Sequence, residues 1–437
     1  MTYRPARDHR RRRFAAHIAA LIVLCSACLS APAFASARIA ISCSSLGVEA
    51  ELCRTGAQAW AKETGNEISL VATPPNADER FSLYLTLLAS HSGDVDILQI
   101  DVTWPGMLAN HLVGLAPLIP ESERSDHLPV LIENNTVAGK LIALPFFVDV
   151  GLLYYRKDLL EKYNRPTPQT WRELTRTATE ILQRERDAGA RDLQGYVFQG
   201  KAYEGLACNG LEWIASFGGG FLDENGRSIA TSDANVAALT LAKSWIGTIA
   251  PRGALSYSEE ETRAAFQSGK AIFMRNWPYA WALANAKDSP IAGKVGVAAL
   301  PQGDGANARR ATTLGGQQLA VSRYSAHPKE AADLVRYLTS AAEQKRRALK
   351  GSFNPTRRSL YHDRELIAAN PLYGDFPSIL DSAVARPSTI AGRRYNKASY
   401  AIIQALHDAL GGQGSISDNL TSLDDELRRI SHDGAWN

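Results

Sequence analysis

The sequence predicts an α/β protein of two to three units, each a mostly parallel β-sheet flanked by helices. Three observations carry that prediction. Candidate strands and helices alternate along the chain, as a parallel sheet with covering helices requires. With 45% hydrophobic and 21% charged residues, the composition suits a soluble globular protein and is too apolar for a disordered one. At 437 residues the chain is long enough for about two to three domains.

The first 35 residues read as a targeting segment. Arg4, Arg7 and the run at 10–13 supply six of the 48 basic residues, an apolar stretch follows at 14–29, and Ala33-Phe34-Ala35 ends it. A basic start, a short apolar middle and an A-x-A site are the parts of a secretory signal peptide, so cleavage is expected near Ala35, with Ala37 a close second. A membrane anchor is disfavoured because the apolar run is too short to span a bilayer. Arg11-Arg12-Arg13-Phe14 partly matches a twin-arginine signal, so the export route stays open between the general and the twin-arginine pathways. The remaining 402 residues carry 42 basic and 44 acidic side chains, about −2 in place of the +3 of the whole chain. The basic excess that would suit nucleic acid or an anionic membrane leaves with the segment.

Cysteine usage agrees with export. Cys25 and Cys28 belong to the discarded segment, leaving Cys43, Cys53 and Cys208, of which at least one is unpaired. Proximity favours Cys43 with Cys53, a bridge that would staple the first strand to the first helix. No cysteine has the close Cys or His companions of a metal site, and no metal or cofactor is expected.

In order, the first region reads as a strand at 38–42, an amphipathic helix at 48–62, a strand at 68–72, a helix at 78–90 and a strand at 95–100. Ligands of open parallel sheets sit beyond the carboxyl ends of the strands. Three polar residues fall there: Glu49, Arg80 and Asp101. A second α/β region has candidate strands at 141–147, 151–155, 195–199 and 270–274. Its helices are predicted at 170–186, 233–247 and 259–267, with capping boxes at Thr170/Glu173 and Ser258/Glu261. Residues 302–307 form a flexible turn, 319–322 a last strand, and from His327 the chain is mostly helical.

No G-x-S-x-G, H-E-x-x-H or G-x-x-x-x-G-K-[ST] motif is present. Asp101 and Asp149 leave a glycosidase pair open, because the sequence does not fix their separation. Aromatic residues instead stand beside isolated charges: Asp101 with Trp104, Phe147 with Asp149, and Arg275-Asn276-Trp277-Pro278-Tyr279-Ala280-Trp281. A sugar ring has an apolar C–H face and a rim of hydroxyls, so its receptor needs flat aromatic faces with carboxylates and guanidinium groups around them.

These residues carry a family resemblance. The chain resembles the periplasmic solute-binding proteins of ABC sugar importers, most closely the trehalose/maltose-binding proteins. The matching blocks include Leu144-Pro145 with Asp149, residues 151–163, Gln199-Gly200-Lys201, Tyr203-Glu204-Gly205-Leu206 with Cys208, residues 275–281, Asp288-Ser289-Pro290, residues 293–298 and Thr313-Leu314-Gly315-Gly316. The resemblance implies two α/β lobes, at 36–144 with 305–352 and at 145–304 with 353–437, with the ligand in the cleft between them. It places the site on Glu49, Arg80, Asp101, Asp149, Trp277, Tyr279, Gly316 and Arg386. Gln317 is added because it stands where relatives can carry a tryptophan, and Phe147 stands where a tyrosine is possible. It further implies a monomeric, non-enzymatic periplasmic receptor. Its ligand would be an α-glucoside disaccharide, with another glucoside or a polyol as the alternative, and its partners the permease subunits of the inner membrane.

Overall fold

The computed structural model describes residues 1–3, 36–43, 47–74, 76–370 and 372–436. The expected signal segment, with Cys25 and Cys28, lies outside the described residues.

The first lobe grows from an alternation of strands and helices. β1 (Arg38–Ser42) buries Ile39 and Ile41, and α1 (Gly47–Thr64) lays Leu52, Cys53, Ala57 and Trp60 against the sheet. β2 (Glu67–Leu70), α2 (Ala77–Ala89) and β3 (Ile97–Asp101) follow. Asn76 caps α2 by accepting from the backbone N–H groups of Asp78 and Glu79. Cys43 and Cys53 are disulfide-bonded with Cα atoms 6.5 Å apart, and Cys208 is free and buried. The bridge ties the end of β1 to α1.

β4 (Leu144–Val150) closes the first sheet, and Gly151 passes the chain into β5 (Leu152–Arg156) of the second. That lobe adds α3 (Trp171–Asp187), β6 (Gln194–Val197), α4 (Glu204–Ser216), α5 (Asp233–Trp245), α6 (Glu259–Gln267), β7 (Ala271–Asn276) and β8 (Val295–Ala299). Both predicted capping boxes are present, at Thr170/Glu173 and Ser258/Glu261. The chain returns in the long strand β9 (Thr312–Val321), continues through α7 (Pro328–Leu338) and α8 (Ala341–Gly351), touches β9 again in β10 (Ala383–Val384), and ends in α9 (Tyr395–Gly411) and α10 (Ile416–Ser431).

The first sheet has the order β10-β9-β3-β1-β2 with β4 on β9, and the second the order β8-β5-β7-β6. Both are mixed. Strands joined through a helix, such as β1 and β2, pair in parallel, whereas β9 is antiparallel to β3 and β4, and β5 to β7 and β8. The alternation read from the sequence accounts for the parallel pairs alone. Each lobe has its own core. One packs Ile39, Ile41, Trp60 and Ile97 with α7, and the other packs Trp171, Tyr196, Trp213 and Trp245 with the C-terminal helices α9 and α10.

The short strands β8 and β10 were not expected, and two further elements depart from expectation. β9 is ten residues long, not four, because Gly315, Gly316 and the Gln317-Gln318 pair mask its strand pattern. α4 was not expected at all. Every residue in it is buried, Glu204, Asn209 and Glu212 included, so it shows no amphipathic period.

Candidate ligand-binding site

β9 runs between β3 and β4 and gathers the site. It pairs Gln317 with Asp101 on one side and Gly315 with Asp149 on the other. The Gln317 amide bridges two partners, its Nε2 3.5 Å from Asp101 Oδ2 and its Oε1 3.4 Å from Arg80 Nη2. Asp101 Oδ1 also accepts from the Thr103 backbone N–H at 2.9 Å, from Thr103 Oγ1 at 2.7 Å and from Arg386 Nη2 at 3.1 Å. Arg80, Gln317, Asp101 and Arg386 thus form one connected chain of polar groups. All but Gln317 are buried.

Arg386 continues the chain into the second lobe, where its Nη1 lies 2.6 Å from Glu204 Oε1 at the start of α4. Glu204 also accepts from the Tyr395 and Ser399 hydroxyls. Asp78 of α2 lies beside Glu204 at the amino end of α4, so the first lobe meets the second there. Burial first, then the neighbouring Glu204 and Asp101 charges, push the Asp78 carboxyl up to about 6. A cavity of about 760 Å³ opens beside this contact, between α2 and the helices α9 and α10.

Glu49 sits in the first turn of α1, its Oε1 2.6 Å from Gln99 Nε2 on β3. Burial raises the pKa of half-buried Asp149 to about 8, the Glu49 charge adding to the rise and Arg275 and Arg347 opposing it. Trp277 follows the end of β7, half-buried, with its backbone N–H 2.8 Å from Asn276 Oδ1 and its Nε1 3.4 Å from Glu259 Oε1. Its six-membered ring reaches Gly315, where a Cβ would lie 3.1 Å from the ring edge and 3.4 Å from Asp149 Cβ. Trp277, Gly315 and Asp149 therefore meet at one point.

Two expected site residues are differently engaged. Tyr279 donates its hydroxyl to Glu260 at 2.7 Å. Gly316, at φ +120° and with a Cβ position only 2.3 Å from the Phe147 carbonyl oxygen, is required for the close approach of β4, and its own carbonyl accepts from Val102 N–H. Three further residues were not foreseen: Asp78, Glu204 and Arg347. Arg347 lies in a Lys-Arg-Arg run that reads as a solvated face, yet it is fully buried, its guanidinium carbon 3.4 Å from the centroid of the Phe146 ring, and burial pulls its pKa down to about 9. Among the described residues, the Nε atoms of Arg80, Arg386 and Arg347 are buried donors without a hydrogen-bond partner.

Residues 53–345 match the family described as bacterial extracellular solute-binding protein. The chain belongs to that family. It is 48% identical to a probable ABC transporter-binding protein of Deinococcus radiodurans over 91% of this chain and 94% of the relative. Among solved structures, maltose-bound MalE3 of T. maritima superposes with a TM-score of 0.86 at 37% identity, covering 90% of this chain and all of that one. The GacH receptor of Streptomyces glaucescens, solved unliganded and with acarbose, does so with a TM-score of 0.79 at 26% identity over 91% and 99%. These neighbours share the two-lobed architecture of type II periplasmic sugar-binding proteins. Among the described residues, no helix is long and apolar enough to cross a membrane.

Proposed function

We propose that the chain is the exported, periplasmic receptor of an ABC importer. It closes its lobes on an α-glucoside disaccharide, trehalose or maltose first, and passes the sugar to permease subunits in the inner membrane. The observation that supports this reading most is the meeting of half-open Trp277 with Asp149 at Gly315, beside the polar chain of Arg80, Gln317, Asp101 and Arg386. An aromatic face next to carboxylates and buried unpaired guanidinium donors is the complement of a sugar ring and its hydroxyls. The receptor works as a monomer without a cofactor. Its lobes are assigned to 36–144 with 305–352 and to 145–304 with 353–437.

In this reading Asp101, Asp149 and Glu49 accept hydrogen bonds from sugar hydroxyls, Arg80 and Arg386 donate to them, Trp277 stacks on a glucose face with Tyr279 beside it, and Gly316 fixes the strand that carries Gln317. Closure is a population shift driven by contacts that a ligand makes with both lobes at once. A glycosidase is disfavoured because Asp101 is already engaged by Thr103, Gln317 and Arg386 and is poorly placed to act as a nucleophile. A same-fold receptor for another glucoside or a polyol remains the second reading, since Gln317 brings an amide where a stacking ring would enlarge the floor. Equilibrium dialysis against trehalose and maltose tests the main reading: the sugar is retained and recovered intact. Release of free glucose would instead establish a hydrolase.

A further inference from the structure

We infer that the buried Glu212–Arg275 pair is the seat that fixes Trp277, making Arg275 a positioning residue for ligand capture; this deepens the proposed sugar site and rests on it. Arg275 stands two residues before Trp277 on β7, and neither its side chain nor that of Glu212 is exposed. Arg275 Nε lies 2.8 Å from Glu212 Oε2 and its Nη2 2.5 Å from Oε1, a fork-on-fork pairing from α4. Its Nη1 donates to Gln199 Oε1 at 3.1 Å, and Gln199 Nε2 returns a bond of 3.1 Å to the Arg275 carbonyl. With all of its edges held, the guanidinium places its carbon 3.8 Å from the centroid of the Trp277 ring.

The seat is itself wedged against the strands that pass between the lobes. Glu212 Oε1 accepts from the Thr313 backbone N–H of β9 at 3.2 Å. At Gly151, between β4 and β5, a Cβ would come within 2.0 Å of that same oxygen, so only glycine fits there without displacing the carboxylate. The Trp277 ring therefore lies against the guanidinium, with its edge at Gly315. A wholly buried ion pair is a weak source of stability, because desolvation offsets most of the attraction. Holding the ring in place has a direct benefit, since ordering one large side chain at the moment of binding costs roughly two- to tenfold in affinity.

The test combines Arg275→Met with Glu212→Gln. This removes both charges, keeps bulk beneath the ring and keeps an amide oxygen for the Thr313 N–H. The eight tryptophans are labelled as 5-fluorotryptophan, and Trp277→Phe identifies the Trp277 resonance. In the double variant that resonance shifts and broadens without sugar present, and affinity for trehalose or maltose, whichever the parent protein binds, falls about tenfold. A folded double variant with an unmoved Trp277 resonance and parental affinity overturns the inference. If the double variant does not fold, Arg275→Lys serves, since it keeps the charge but not the plane; an unmoved resonance there overturns the inference equally. A parent protein that binds neither disaccharide refutes the disaccharide reading, and the resonance alone then decides the seat.

Discussion

Asp149 shows at a single residue how capture and stability oppose each other. Desolvation of this half-buried carboxyl pushes it up to about 8 in the folded chain, against 3.8 as the ordinary value. The folded state thus holds this proton more tightly than the unfolded state, and stability is lost as pH rises from about 4 to about 8. Asp149→Asn is expected to melt at a higher temperature than the parent protein at pH 8, with the difference vanishing near pH 4, and to bind sugar more weakly; thermal melts at both pH values with one titration check it. For Trp277→Ala, a loss of about 1–3 kcal/mol in binding is expected, with aromatic stacking on a nucleobase as the nearest measured analogue. An unchanged affinity would reduce Trp277 to a core residue. Asp101 and Trp277 stood out in the sequence as a polar and an aromatic residue at the ends of apolar strands, and Asp149 through its neighbour Phe147 and the family resemblance. Arg347 and Asp78 did not, since their surroundings come from segments distant in the chain.

At the scale of elements, α1 and β9 decide where the site groups stand. α1 carries Glu49 and is tied to β1 by Cys43–Cys53. Loss of that bridge should lower stability by about 2–3 kcal/mol, mainly by freeing the unfolded chain, and denaturant unfolding of Cys53→Ala against the parent protein measures it. A midpoint shift within error would show that packing alone holds α1. The capping boxes and the strand–helix alternation were readable because they are local patterns. β9 and α4 were not, because a strand interrupted by two glycines and a helix buried on every side lack the periodicity that marks an element. Those two elements supply Gln317, Glu204 and Glu212, so the least legible part of the fold holds much of the site together.

At the scale of the whole molecule, the lobes meet through Arg386 between Asp101 and Glu204 and through Asp78 at the start of α4. Asp78 faces Glu204, Asp101 and Arg386, and desolvation in that contact, together with the two acidic neighbours, raises its carboxyl to about 6. Parting the lobes would take Asp78 away from Glu204 and Arg386 and return its carboxyl toward 3.8, so contact between the lobes is expected to gain as pH falls from 7 to 5. Sugar affinity is expected to increase over that range, and Asp78→Asn to flatten the increase; titrations at pH 5 and pH 7 decide it, and an identical pH dependence in both proteins would rule Asp78 out. The family resemblance anticipated the two-lobed plan across nearly the whole chain, but the partner of each arginine across the cleft is a property of the folded lobes together. Calorimetric titration of the intact protein against trehalose, maltose, mannitol and ribitol tests the central claim most directly. One disaccharide per chain, bound more tightly than either polyol, is the predicted result, and a protein that binds a polyol but neither disaccharide would contradict it.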